Sequence, residues 1–213
     1  MTIDQYITDH IDQEPEYLYR LWRDTNVRLL RGRMASGHLQ GRLLKMLVQL
    51  FRPQRVLEVG TFSGYSALCL AEGLEEDGHL WTFEINDEQE DFTRPWIENS
   101  AVSDRITFII GDAITEAPRI AEQEGFLFDM AFVDGDKRTY LETYEMVLSI
   151  MRPGGLILAD NTLWDGHVLE EVPKAADRQT QGIDAFNDFV ANDPRVTRVL
   201  LPLRDGLTLI RKK

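Results

Sequence analysis

The chain is short of cysteine, of positive charge and of long apolar runs, and each shortage narrows what it does. One cysteine in 213 residues, Cys69, rules out an internal disulfide. It lies between Leu68 and Leu70 in a helical pattern, which favours a buried, inert thiol over a nucleophile. Lysine and arginine number 23 against 36 acidic residues, for a formal net charge of −13. That balance argues against a broad phosphate-binding surface and disfavours a nucleic-acid partner such as tRNA, although a local basic patch remains open. No run of about 18 apolar residues occurs, and the amino terminus has no apolar signal core. The expectation is therefore no membrane association and a cytoplasmic location by default. His10, His38, His79 and His167 show no ligand spacing, so zinc is disfavoured. No Pro/Gly/Ser-rich linker divides the chain, which predicts one domain over residues 1–213.

What is present is an alternation. Arg55–Val59, Leu80–Ile85, Ile106–Ile110, Met130–Val133 and Leu156–Ala159 read as strands. Between them Tyr65–Leu74, Glu88–Asn99, Ala113–Glu124 and Thr139–Met151 read as helices. Near-continuous apolar strands alternating with helices predict an α/β fold with a doubly wound, parallel sheet. After Asn161 a polar stretch, Asp165–Gln181, has no clear period, and a helix follows near Ile183–Ala191. Two last strands, Val196–Leu201 and Leu207–Arg211, flank a Pro202–Gly206 turn. As a hairpin they bring the sheet to seven strands, one of them antiparallel. Ahead of the first strand, residues 1–33 are acidic and aromatic, with Pro15 separating two helical pieces. That segment is either a cap on the sheet or a subunit contact. A small-residue loop, Met34–Gly41, then leads into a helix over Arg42–Phe51.

The first strand runs into Gly60-Thr61-Phe62-Ser63-Gly64-Tyr65-Ser66, a glycine-bounded turn opening a helix. A dinucleotide fingerprint needs a second glycine where Phe62 stands. Glu58 and Glu84 place carboxylates at the ends of the first two strands. They repel a pyrophosphate but suit a cationic ligand with an amino group and a ribose, a description that S-adenosylmethionine meets. The plain alternative is a tight strand–helix connection.

In such sheets ligands bind beyond the carboxyl ends of the strands. If the fourth and fifth strands are neighbours, Asp134, Asp160 and Asn161 converge as a hard-oxygen set suited to Mg²⁺, Mn²⁺ or Ca²⁺. Each aspartate alone reads more readily as a helix cap or turn residue, and it is their occurrence on both strands that brings the metal reading level. Lys137 lies three residues past Asp134, where a nearby cation disfavours the ammonium form and makes a general base. Its plain reading is a solvated lysine opening a helix. Trp164 and the Asp165–Gln181 stretch read as a flexible substrate wall or as a surface loop.

Together these motifs resemble the metal-dependent, class I S-adenosylmethionine O-methyltransferases of the caffeoyl-CoA and catechol type, from about Met34 to Ile210. The resemblance implies a Rossmann-like fold and a cofactor loop containing Met34 and Ser36. It implies that Glu58, Gly60, Thr61 and Ser66 lie against the methionine part of the cofactor and that Glu84 holds the ribose. By the same carry-over Asp112 and Ala113 border the adenine, and Asp136 stands near the cofactor. Asp134, Asp160 and Asn161 become metal ligands, Lys137 the base, and Trp164 and Asp165 the substrate contacts. A homodimer is implied as well. The chain departs from the plant members at Asp165, where Asn is usual, and at Gly135, where Ala is commoner. It also lacks a convincing counterpart before Met34 of the residues that position CoA.

The expected reaction is methyl transfer to one hydroxyl of a vicinal-dihydroxy aromatic small molecule, with Lys137 taking the proton. The nearest alternative is methylation of a hydroxylated wobble uridine in tRNA, to which Arg28, Arg31, Arg33 and Arg42 lend a basic cluster. A non-catalytic ligand-binding protein and a dinucleotide dehydrogenase are the remaining alternatives.

Overall fold

Strand β1 (Arg55–Val59) is buried along its middle, and β4 (Phe128–Val133) along its whole length. Such runs are what central strands of a parallel sheet require. With β2 (His79–Glu84), β3 (Ile106–Ile110), β5 (Met151–Asp160), β6 (Val196–Leu201) and β7 (Leu207–Lys212) they form one seven-stranded sheet. The order in the computed structural model, which describes residues 1–170 and 177–213, is β3-β2-β1-β4-β5-β7-β6. β7 runs antiparallel to both its neighbours, while the β1–β4, β4–β5 and β2–β3 pairs are parallel. The doubly wound, mostly parallel sheet with one antiparallel strand is thus the observed fold.

Contacts divide the chain into two compact units. One comprises Met1–Gln54 and Thr61–Ile110, the other Arg55–Gly60 and Gly111–Lys213. In the first unit α1 (Ile3–Asp9) and α2 (Glu16–Arg28) are separated as expected, with Pro15 at the N-cap of α2. Helix α3 (Gly37–Phe51) starts five residues before the apolar pattern does. Two glycines make that turn a poor helix by propensity, so packing decides it. A Cβ on Gly41 would lie 2.7 Å from Cys69 Sγ and 2.8 Å from the Tyr65 ring, so α3 and α4 (Tyr65–Gly73) approach closely there. The unit is completed by β2, α5 (Glu90–Glu98) and β3.

The second unit contains β1, α6 (Ala113–Glu124), β4, α7 (Tyr140–Ile150), β5, α8 (Arg178–Asn192) and the β6–β7 hairpin. Leu57, Met130, Phe132, Ile157 and Leu158 from its strands, with Tyr144 of α7 and Phe186 of α8, are buried in its core. α8 begins five residues before the apolar pattern predicts. Its first turn, Arg-Gln-Thr-Gln, has no apolar period, but Asp177 caps it by accepting from Gln179 N (3.1 Å) and Thr180 N (3.2 Å). The aperiodic stretch is therefore partly regular. Trp164–Leu169 is a short 3-10 segment kinked at Asp165 and Gly166, and Arg178–Gln181 belong to α8. The part of the proposed substrate wall at 171–176 lies outside the described residues. Among the described residues no helix is long and apolar enough to cross a membrane.

Candidate active site

The carboxyl ends of β4 and β5 carry the densest chemistry. Register pairs Val133 with Ala159, so Asp134 and Asp160 follow on adjacent strands, about 4.8 Å apart in the pairing direction. Lys137 is buried, and its ammonium donates to Asp134 Oδ1 at 2.7 Å. It lies 4.6 Å from the Tyr140 ring centroid and 3.4 Å from its hydroxyl. That hydroxyl sits 2.6 Å from the Val133 carbonyl and 2.7 Å from the Asp160 carbonyl, sharing one proton between the last residues of two strands. Burial first, then the Asp134 and Asp160 charges, hold the Tyr140 phenol neutral by raising its pKa well above the usual value. Tyr140 escaped the sequence reading. Its signal was an aromatic three residues past Lys137, which in a helix also reads as plain core.

Asn161 follows at φ +57°, and Asp160 Oδ1 accepts its N–H at 2.9 Å. The tip of the β6–β7 hairpin then fixes the backbone beyond it. Asp205 O accepts from Leu163 N at 2.8 Å and Gly206 O from Thr162 N at 3.2 Å, while a Cβ on Gly206 would fall 2.6 Å from Leu163 N. Asp205 Oδ1 also accepts the Asp165 N–H. Burial pushes the Asp205 carboxyl up, reinforced by the Asp165 charge and opposed by the Asp165 N–H and by Lys137. Asp205, absent from the sequence candidates, therefore belongs to this cluster. Trp164 and Asp165 both sit at positive φ, 48° and 51°, at the same end of the unit.

Two aspartates realise the plain reading. Asp112 caps α6 through Ile114 N at 2.9 Å. Asp136 caps the Lys137–Thr139 turn, and its hydrogen bonds with Arg138 hold its carboxyl below the usual range. Ala113, the first residue of α6, is buried. Gly60, at φ +101°, has a second reason to be glycine, since a Cβ there would lie 2.5 Å from the Asp134 carbonyl oxygen. Glu58, one step back on β1, is fully buried opposite Phe132.

In the first unit, Glu84 at the end of β2 is held by two backbone donors: Phe62 N at 2.8 Å to one oxygen and Asn86 N at 2.9 Å to the other. A carboxylate fixed this way keeps lone pairs for a pair of hydroxyls. Thr61 shares a hydroxyl hydrogen bond with Thr82 at 2.6 Å, and its N–H donates to Phe83 O. Ser66 and Ser36 are buried, whereas Met34 is half exposed. Ser63 Oγ is buried with no hydrogen-bond partner among the described residues. The sequence offered Ser63 only as a serine between two glycines of a turn.

Residues 8–213 match the family model described as O-methyltransferase. The chain belongs to the O-methyltransferase family. Caffeoyl-CoA O-methyltransferase 2 of Zea mays is 36% identical over 217 aligned residues, spanning 98% of this chain and 81% of that protein. The O-methyltransferase from Bacillus cereus, solved in complex with SAH, superposes with a TM-score of 0.86 at 28% identity, over 99% of this chain and 97% of that one. TomG from Streptomyces achromogenes, an O-methyltransferase involved in tomaymycin synthesis and solved with SAM, gives a TM-score of 0.89 at 28% identity, over 99% and 96%. Membership of the O-methyltransferase family displaces both the dehydrogenase and the non-catalytic readings.

The oxygen donors at the ends of β4 and β5 fit the divalent cation that the resemblance implies. Asp134 and Asp160 bring two carboxylates, and Asn161 brings an amide oxygen, a set that hard cations prefer. Among the described residues no three of His, Cys, Asp and Glu gather as a metal group. Asn161, the third candidate, falls outside that set because its oxygen belongs to an amide.

Proposed function

We propose that this O-methyltransferase moves the methyl group of S-adenosylmethionine to one hydroxyl of a vicinal-dihydroxy aromatic small molecule, of the catechol or caffeoyl type, with the help of a divalent cation. The observation that carries the reading is the β4–β5 register, which sets Asp134 and Asp160 side by side with the Lys137 amine between strand end and helix. Residues 1–213 act as one methyltransferase domain, with 1–33 as its cap or dimer segment.

Glu58, Gly60, Thr61 and Ser66, with Met34 and Ser36 from the preceding loop, are the proposed holders of the methionine part of the cofactor. Glu84, already aligned by two N–H donors, takes the ribose hydroxyls, and Asp112 and Ala113 border the base. Asp136 stands near the cofactor. Asp134, Asp160 and Asn161 would hold Mg²⁺, Mn²⁺ or Ca²⁺, which would make the acceptor hydroxyl more acidic and would disfavour a second positive charge on Lys137. Lys137, as the neutral amine, accepts the proton that the acceptor hydroxyl loses as its oxygen bonds to the methyl carbon and the carbon–sulfur bond breaks. Asp134 orients the Lys137 nitrogen, and the Tyr140 hydroxyl ties the two strand ends at a fixed spacing. Trp164 and Asp165 face the acceptor. An acidic Asp165 beside Asp205 disfavours a polyphosphate-bearing acyl-CoA at that wall and favours a smaller phenol.

The test is methyl transfer to a catechol before and after EDTA treatment. Activity should vanish with EDTA and return with Mg²⁺ or Mn²⁺; full turnover in EDTA would remove the cation from the reading. The tRNA reading keeps one supporting observation, that Arg28, Arg31 and Arg33 are exposed. Arg42 leaves that cluster, because its side chain is turned inward onto Glu72 at 3.0 Å. Filter binding of undermodified tRNA over a salt series discriminates. The catechol reading expects no salt-sensitive binding.

A further inference from the structure

We propose that α8 is the brace that positions the reacting end of β4 and β5, and that Gly182 is its decisive positioning residue. The inference rests on the reading of Lys137 as base. Gly182 lies in the second turn of a 15-residue helix, where glycine is among the poorest choices, and its φ is not in the left-handed region. Backbone freedom therefore does not explain it. Space does: a Cβ at Gly182 would lie 2.1 Å from the Lys137 carbonyl oxygen, 3.0 Å from its carbonyl carbon and 3.1 Å from Arg138 Cα. The helix is pressed directly onto the backbone of the base.

One turn further along the same face, Phe186 is buried with its ring edge-on to Tyr140, centroids 5.1 Å apart. Beside it the Asn187 amide donates to the Thr162 carbonyl at 2.8 Å, just past the Asp160-Asn161 pair. Positions 182, 186 and 187 thus reach the lysine backbone, the tyrosine that bridges the two strands, and the segment after the amide donor. A rigid helix that touches all three sets their mutual spacing. To clear a methyl group at 182, the Lys137 carbonyl must retreat by about 1 Å, a displacement that costs on the order of 10²-fold in rate at a reacting centre.

The experiment compares full-length parent, Gly182→Ala, Asn187→Leu and, as a control on the exposed face of α8, Asp188→Ala, with a catechol and S-adenosylmethionine. Gly182→Ala should lose about 30- to 100-fold in kcat. Its KM for S-adenosylmethionine and its calorimetric Kd for S-adenosylhomocysteine should stay within about two-fold, because the residues that Gly182, Phe186 and Asn187 meet, Lys137, Arg138, Tyr140 and Thr162, are not among the proposed cofactor holders. Asn187→Leu should weaken Mn²⁺ binding, read by paramagnetic resonance, by about ten-fold, and Asp188→Ala should match the parent. A folded Gly182→Ala with parental kcat overturns the proposal, as does a uniform loss in kcat and cofactor affinity. If Gly182→Ala does not fold, parental Mn²⁺ affinity and kcat in Asn187→Leu overturn it instead. Lys137→Ala run in parallel separates the two ideas. Turnover in that variant sinks the base, whereas its silence beside an unimpaired Gly182→Ala sinks the brace alone.

Discussion

Two regions of this protein bury charge, and they do so to opposite ends. In the first unit, Glu72 meets both Arg42 (3.0 Å) and Lys45 (3.2 Å), and the Tyr17 hydroxyl donates to the same carboxylate. Tyr65 donates to Glu14 in the same way, and Cys69 Sγ lies 3.6 Å from an Arg42 nitrogen. Two carboxylates face two cations, so the charge closes on itself. These contacts fasten α2 and the loop before it onto α3 and α4. At the ends of β4 and β5, the carboxylates of Asp134, Asp160, Asp165 and Asp205 outnumber the cations beside them, Lys137 and Arg204. There the charge does not close. A cluster short of positive charge attracts a cation, and a neutral one is a rivet.

The largest effect that separates them is catalytic. Lys137→Ala and Asp160→Ala should each lower turnover of a catechol by about 10²- to 10⁴-fold, with far-ultraviolet circular dichroism unchanged. Unchanged turnover in either removes the role given to that residue. The next effect runs the other way. Glu72→Gln strands Arg42 and Lys45 in a poorly hydrated site, a loss of about 3 kcal/mol, and a chain of this size then melts about 6–12 °C lower. Its kcat at a temperature where it is folded should stay within two-fold of the parent. A large kcat loss with intact melting would mean that the rivet also works as machinery, and the contrast drawn above would fail.

How much of this was readable from the chain divides along physical lines. The strand ends were readable, because each apolar run stops at a polar group: Glu58, Glu84, Asp134 and Asp160. Their pairing was not, since adjacency of β4 and β5 depends on topology rather than on any local pattern. Arg42 shows the limit most clearly. It stands three residues from Leu39 and Lys45, on a face that reads as solvated, yet Glu72 draws it inward from another helix. Gly182 was hidden for a related reason. Its justification is a neighbour's backbone, and periodicity sees only side chains. Asp112 and Asp136 kept the cap geometry that any aspartate before a helix suggests, and their roles toward a cofactor rest on the family resemblance.

The smallest expected effect tests whether the first cluster is as closed as its charges indicate. Burial pushes the Cys69 thiol up to about 12, outweighing the Arg42 guanidinium, which pulls it down. A raised thiol pKa leaves almost no thiolate at pH 8, against roughly a quarter for an exposed cysteine. Native protein incubated with iodoacetamide at pH 8 should therefore show no mass increase over hours. One carbamidomethyl group should appear once denaturant opens the α3–α4 contact. Cys69→Ala should leave kcat unchanged, because nothing at the strand ends leans on that thiol. Rapid labelling of the native protein would show that α3 and α4 part readily at Gly41. The neutral cluster would then be a hinge rather than a fastening.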